Sequence, residues 1–352
     1  MKSYEIGEND CGQRLDRFLQ KAIPLLPPSL MQKYLRTKRI KVNRKRCEGS
    51  YRLAPGDLVQ CYISDEFFAA DGDQWAFRSA RDQLEVVYED DNILIVNKPA
   101  GLVVHVDNDG EVDTLINRVL KYLEKSGQYN PAAESSFAPA LCNRIDRNTS
   151  GLVLCAKNAP SLRVLNEKIR DREITKLYRC LVFGVPSPPH ALKKAFLRKD
   201  AAKNQVEIFD QPVPGGRTIL TEYTVLSSRE GISLVEVNLH TGRTHQIRAH
   251  MAHLGHPLVG DAKYGVSRQS KGLPFRHQAL CAYCLTFDFP TPADHLNYLR
   301  GQSFRVPGLP FPHSLAGEAP PIPENNTEPQ HPLHRSTAME QITLSHKEND
   351  LP

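Results

Sequence analysis

The chain has 352 residues, 40% of them hydrophobic, and a net charge of +5, which is length for about two domains and apolar content for a sizeable core. No run approaches the ~18 apolar residues of a membrane span, and MKSYEIGEND lacks a basic then apolar leader, so a cytoplasmic, globular protein with no membrane partner is expected. Eight scattered cysteines, mostly beside apolar neighbours, suit reduced thiols better than a disulfide framework and agree with that compartment.

The charge is unevenly placed: residues 12–63 hold 12 Lys/Arg against 3 Asp/Glu, a balance of +9 that leaves −4 for the remainder. Within that segment RLDRFLQKAI puts Leu15, Phe18, Leu19 and Ile23 on one helical face, and Ser29 reads as the N-cap of a second helix, LMQKYLRTK. KRIKVN then reads as a strand, RKRCEGSY as a turn and PGDLVQCYI as a closing strand. Between Lys33 and Arg46 stand eight basic residues and no acid. So much like charge is uncomfortable without a polyanion, although a solvated cationic face is the plainer alternative. Lys33, Arg36, Lys38, Arg39, Lys41 and Arg44 are the candidate phosphate contacts. RLDRFL, QKYLRTKRI, KVNRKR and the PGD before the last strand resemble an S4 domain, a small RNA-binding module, over residues 12–64.

Residues 65–83 lose periodicity and read as a linker or docking strap. A second domain is expected over 84–305. LEVVYE and ILIVNK, split by Asp90-Asp91-Asn92, form a hairpin, and GLVLCAK, LYRCLVFG and SLVEVNLH are strand-like, with Val235, Val237 and Leu239 facing one way. Helical segments fall at 113–125 and 160–170. The mixture predicts an α+β domain on one large mixed, mainly antiparallel sheet. Residues 306–352 are Pro-rich and lack apolar periodicity, so a disordered tail is expected there.

After SLVEVNLH comes TGRTHQIRAHMAHLGHPLVGD. Thr244 reads as the cap of a helix that buries Ile247, Met251 and Leu254 and ends at Gly255, and Arg243 falls at the strand-to-helix corner. His245, His250, His253 and His256 invite a metal reading, but HExxH is absent and no carboxylate is interleaved before Asp261. Cys281 and Cys284 form a single CxxC without a second pair. There is no P-loop and no GxGxxG, so neither a metal nor a cofactor is expected.

Upstream, NRIDRNTSG places Asp146 between Arg144 and Arg147 in a run of small polar residues. Alone, that is ordinary turn chemistry. Taken together, LCNRIDRNTSGLVLCAKN, NKPAGLVVH, KLYRCLVFG and LHTGRTHQIRAHMAHLGHPLVGDAKYG resemble the pseudouridine synthase family of the RluA type, across most of residues 84–289. The resemblance implies a cofactor-free isomerase acting on RNA, with Asp146 as the catalytic aspartate and Arg243 pairing with it. It also implies Tyr178 packing on a flipped uracil, Ile247 lining the pocket, and Arg144 entering the RNA stack that the base has left. Extruding the base costs a few kcal/mol, and a carboxylate suits the positive charge that develops at C1′ when the glycosidic bond breaks. Two departures are Asn143 and Cys281, which stand where the family usually has histidine, and these bear on the substrate-strand contacts. Large-subunit ribosomal RNA is the expected substrate, transfer RNA the second choice, and a monomer the expected state. The rivals are a non-catalytic S4-type RNA-binding protein and a metal-dependent hydrolase.

Overall fold

The computed structural model describes residues 1–68, 73–105, 110–200, 204–265 and 270–317. Strand β1 (Lys2–Glu5) opens a small module, followed by α1 (Leu15–Ala22), α2 (Pro28–Arg36), β2 (Ile40–Val42) and β3 (Leu58–Cys61), with the three strands ordered β1-β3-β2. Leu15, Phe18, Leu19 and Ile23 are all fully buried and share a core with Tyr4, Ile6, Leu35, Val59 and Ile63. That core draws on residues ahead of 12, so the module begins earlier than charge alone indicated. Helix α2 starts on Pro28, with Pro27 rather than Ser29 at its N-cap, because proline lacks the N–H that a first-turn position cannot satisfy anyway.

The module docks on the larger body through the loop after β1. Asn9 donates to Glu134 at 2.8 Å and accepts from the Ala159 N–H at 3.0 Å, while Gln13 donates to Ser136 at 2.9 Å and Ser136 donates to Asp10. The strap behind it is held down as well: Phe77 and Ala80 are buried, and Arg78 pairs with Glu124 at 2.5 Å.

The larger body is one eleven-stranded sheet. Its strands are β4 (Val86–Glu89), β5 (Ile93–Lys98), β6 (Ala140–Leu141), β7 (Ser150–Ala156), β8 (Ile174–Phe183), β9 (His190–Asp200), β10 (Gln205–Phe209), β11 (Arg217–Arg229), β12 (Ile232–Leu239), β13 (Leu280–Phe287) and β14 (Ser303–Arg305). The order is β10-β9-β11-β12-β8-β13-β7-β5-β4, with β14 on β13 and β6 on β7. Among the described residues the β7·β13 pair alone is parallel. Helices α3 (Leu115–Lys125), α4 (Ala159–Arg170) and α5 (Gln246–His253) complete the domain. Thr114 and Asn158 cap the first two, each accepting the N–H three residues on.

Across the centre of the sheet one register row runs Val237, Tyr178, Ala282, Gly151, Lys98, taking one residue from each of five strands. Gly151 has φ +111°, and a Cβ there would lie against the backbone of Ala282. Only glycine permits that approach, which explains the Gly of TSG at the start of β7. The expected tail at 306–352 is corrected at its beginning: Val306, Phe311 and Ala316 are buried against the main core. Residues 318–352, where the rest of that tail falls, lie outside the described residues.

Candidate active site

The loop from β6 to β7 carries Asp146. Ile145 packs against the apolar clusters on either side of it, Asn143 accepts the Leu154 N–H at 2.8 Å, and the Thr149 N–H bonds back to the Asp146 carbonyl at 3.0 Å. Downstream, the Arg147 carbonyl accepts Lys98 Nζ at 2.8 Å and the Gly101 N–H at 2.9 Å. Lys98 is fully buried and also reaches the carbonyls of Pro99 and Leu102. Burial lowers its pKa to about 7, against the favourable charge of Asp146. The NKPAG segment thus fastens the loop that presents the aspartate.

Asp146 is paired with Arg248, not with Arg243. Arg248 Nη1 donates to Asp146 Oδ2 at 3.0 Å, and its Nε and Nη2 hold Asp261 as a fork at 2.7 and 3.0 Å. Burial works against the Arg248 charge, but the two carboxylates outweigh it and raise its pKa. Burial likewise opposes ionisation of Asp261, and Arg248 with the N–H groups of Lys263 and Tyr264 reverses this, lowering its pKa. The expected Arg243 pairing is therefore corrected. Arg243 is exposed, and its side chain forms no ion pair among the described residues.

The physical reason lies in where α5 begins. His245, in a left-handed conformation (φ 55°, ψ 17°), is its N-cap instead of Thr244 and gives no side-chain cap, while Gln246 ties down the turn ahead of the helix, accepting from the Arg243 N–H and the Thr241 hydroxyl. Gln246 and His250 then both bond Thr221 of β11 at 3.0 and 2.9 Å, fastening α5 to the sheet. Arg243 is left outside the helix while Arg248, in its first turn, faces inward. An arginine between Ile247 and Ala249, in a helix whose first six residues are all buried, needs a buried counter-charge, and those apolar neighbours in sequence were the available signal for it.

Tyr178, Ile247 and Met251 lie in one buried cluster, with Ile145 packed against it. Burial, then the neighbouring Asp146 charge, pushes the Tyr178 hydroxyl well above its ordinary pKa, so it stays neutral. Arg144 is exposed beside the aspartate. Lys33, Arg36, Lys38, Arg39 and Arg44 are exposed and Lys41 partly so. Arg44 sits at the tip of a two-residue turn in which both Asn43 and Arg44 have positive φ. None of these six cations forms an ion pair with the described residues.

Asn143 and Cys281, the two departures, both face inward. Cys281 is fully buried in the main core, and burial raises its thiol pKa to about 12. The histidines part company: His250 bonds Thr221, His253 bonds Asp210 and His256 bonds the Phe183 carbonyl. Among the described residues no group of three or more His, Cys, Asp or Glu could hold a metal ion.

A family model described as RNA pseudouridylate synthase matches residues 92–253, a span that includes Asp146, Tyr178 and Arg248. A ribosomal large subunit pseudouridine synthase C of Buchnera aphidicola is 34% identical over 75% of this chain and 80% of its own length. An uncharacterized RNA pseudouridine synthase of Mycoplasma genitalium is 33% identical over 78% of this chain and 85% of its own. The chain belongs to the RNA pseudouridine synthase family.

The synthase is accordingly an isomerase that converts uridine in RNA to pseudouridine, and its relatives place it in the RluA-type branch. A ribosomal large subunit pseudouridine synthase D of Escherichia coli is 32% identical over 74% of this chain and 75% of its own. The solved structure of human RNA Pseudouridylate Synthase Domain Containing 1 shares the fold, with a TM-score of 0.52 at 24% identity over 66% of the synthase and 86% of that chain.

Proposed function

We propose that the synthase modifies uridines in large-subunit ribosomal RNA, with Asp146 as its catalytic carboxylate. The observation that carries this reading is the fixed carboxylate itself: Asp146, one oxygen held by Arg248, stands beside the Tyr178–Ile247 cluster. Isomerisation breaks N1–C1′, turns the uracil and rejoins it through C5, and C5 gives up its proton. A carboxylate there stabilises the charge that builds on C1′, bonds to it, or takes a proton from C2′. No water is added, so the second carboxylate of a glycosidase has no task.

Tyr178 stacks on the extruded base in this reading, Ile247 closes the pocket, and Arg144 fills the vacated stack. Arg243, exposed at the mouth, is reassigned from the aspartate to the RNA backbone. The N-terminal module acts as an S4-type RNA-binding domain. Its support is the run of exposed cations, Lys33, Arg36, Lys38, Arg39 and Arg44 with Lys41, which would release counterions from phosphates without reading sequence. The ribosomal choice is supported by the Buchnera and Escherichia coli relatives, which are ribosomal large subunit pseudouridine synthases. Eight free cysteines suit a reducing cytoplasm. Pseudouridine mapping of total RNA with and without the protein tests this reading: lost sites in large-subunit ribosomal RNA are expected, and losses confined to transfer RNA would overturn the ribosomal assignment.

A further inference from the structure

His245 occupies a left-handed position, uncommon for any residue but glycine although histidine enters it more readily than most. The ring is held by one neighbour. Its Nδ1 lies 2.8 Å from Tyr264 Oη, and the two rings meet edge to face at 5.6 Å. Tyr264 Oη already accepts the Val206 N–H at 2.9 Å, so its own proton goes to His245 Nδ1. The imidazole proton then sits on Nε2. Burial, ahead of the opposing Asp146 charge, lowers the His245 pKa and favours this neutral form.

Nε2 stands 4.0 Å from Asp146 Oδ2. That is too long for a hydrogen bond, yet one atom about 2.8 Å from each would bridge them at an angle near ~90°. The bridging atom must accept from Nε2–H and donate to the carboxylate. Among the groups of the bound nucleotide itself, a uracil carbonyl can only accept and N3–H can only donate, whereas a hydroxyl does both. The hydroxyl of a nucleotide nearest C1′ is the 2′-OH.

We propose that His245 and Asp146 together grip the ribose 2′-hydroxyl of the target nucleotide, so that His245 is a binding residue selecting ribose over deoxyribose. The inference rests on Asp146 being the catalytic carboxylate. It gives the two oxygens different tasks: Oδ2 is shared by Arg248 and the hydroxyl, and Oδ1, which has no protein hydrogen-bond partner among the described residues, turns to C1′. The 2′-OH is also the group that distinguishes RNA from DNA at a single position.

The test crosses a protein change with a substrate change. His245→Asn is chosen because asparagine tolerates the left-handed backbone but is too short to reach the hydroxyl. Single-turnover rates are measured on an RNA with uridine, or 2′-deoxyuridine, at the modified position alone. Where the deoxy RNA turns over too slowly to time, its affinity is read by competition. On the ribose target His245→Asn should slow turnover about tenfold, the loss of one substrate hydrogen bond. On the deoxy target it should add nothing further. His245→Gln, which restores an N–H donor of similar reach, should recover part of the ribose rate only. Tyr264→Phe, which leaves the ring in place but frees its tautomer, should show a smaller loss, also confined to ribose. Losses of equal size on both RNAs would mean a merely structural role and overturn the proposal. Wild-type protein that modifies neither RNA would sink the functional reading instead, whereas normal wild-type turnover without coupling sinks this inference alone.

Discussion

Arg248→Lys separates the two arginines of TGRTHQIR. Lysine keeps the positive charge but has no fork, so it can hold either the fully buried Asp261 or Asp146, and Asp261, with no water to turn to, takes it. Asp146 then loses the bond that Arg248 Nη1 gives it at 3.0 Å. A hydrogen bond to a charged group is worth about 1.5–3 kcal/mol, which as orientation of the proposed catalytic carboxylate corresponds to a rate loss of roughly 10- to 150-fold. Folding stability should fall by a similar ~1.5–3 kcal/mol, because the buried fork on Asp261 becomes a single contact. Arg248→Met should cost more, about 3–5 kcal/mol, since it leaves Asp261 buried without a counter-charge. The assay is release of tritium from C5-labelled uridine in RNA under single-turnover conditions, alongside a urea melt. Arg243→Lys is the internal control and should stay within about threefold of wild type. Wild-type turnover in Arg248→Lys, with the loss appearing in Arg243→Lys, would refute the pairing as the source of activity.

Asp146→Asn should abolish tritium release while RNA affinity, read by filter binding, stays within about threefold, because binding energy lies in phosphate contacts. Gly151→Ala should destabilise the fold by at least ~3 kcal/mol in a denaturant melt, its Cβ being driven onto the Ala282 backbone at a positive φ. His250 is a buried neutral base whose pKa is lowered from 6.5 to about 4, by burial first and then by His253 and Lys193 against Asp210. The unfolded state therefore binds its proton first, and stability should be full above pH 6.5 and fall by up to about 3 kcal/mol as pH drops toward 4. His250→Gln should flatten that segment of the curve. Replacing Lys38, Arg39 and Arg44 by alanine should reduce the slope of log affinity against log salt by roughly 2–3; an unchanged slope would remove the N-terminal module from the RNA contact.

The site was legible through whole motifs matched by resemblance and not through local period. Asp146 stands in what alone reads as a polar turn, and Tyr178 and Ile247 had no role until the motifs were taken together, yet the structure puts both in one buried cluster beside it. The arginine was misplaced because Arg243 was read at the corner of a helix capped by Thr244, when the helix starts after His245 and the inward-facing arginine is Arg248 in its first turn. Lys98, Asp261 and Tyr264 were passed over for a different reason. Each acts only through a partner far along the chain, Lys98 on the Arg147 carbonyl and Asp261 on Arg248, and no local period encodes such a meeting. Strands β9 and β10 escaped notice because HALKKAFLRKD is half exposed and cationic, which blurs the alternation a strand needs to be seen. Val306, Phe311 and Ala316 were read as tail because their apolar positions are too widely spaced to make a pattern, although each finds a place in the core.

The row Val237, Tyr178, Ala282, Gly151, Lys98 has a consequence for when the enzyme becomes an enzyme. β7 and β8 are synthesised long before β13, yet they do not touch each other: the late strand is inserted between them. Until Ala282 has left the ribosome, Gly151 and Tyr178 have no common neighbour, and the loop bearing Asp146 has no fixed distance to the tyrosine. Contacts this remote along the chain form slowly, because a long loop must close before any of them repays its entropy. A nascent chain or a partly folded one can thus carry a finished N-terminal module, its exposed cations in place, without being able to alter a single base. Activity therefore requires the last central strand to be in its slot between β7 and β8.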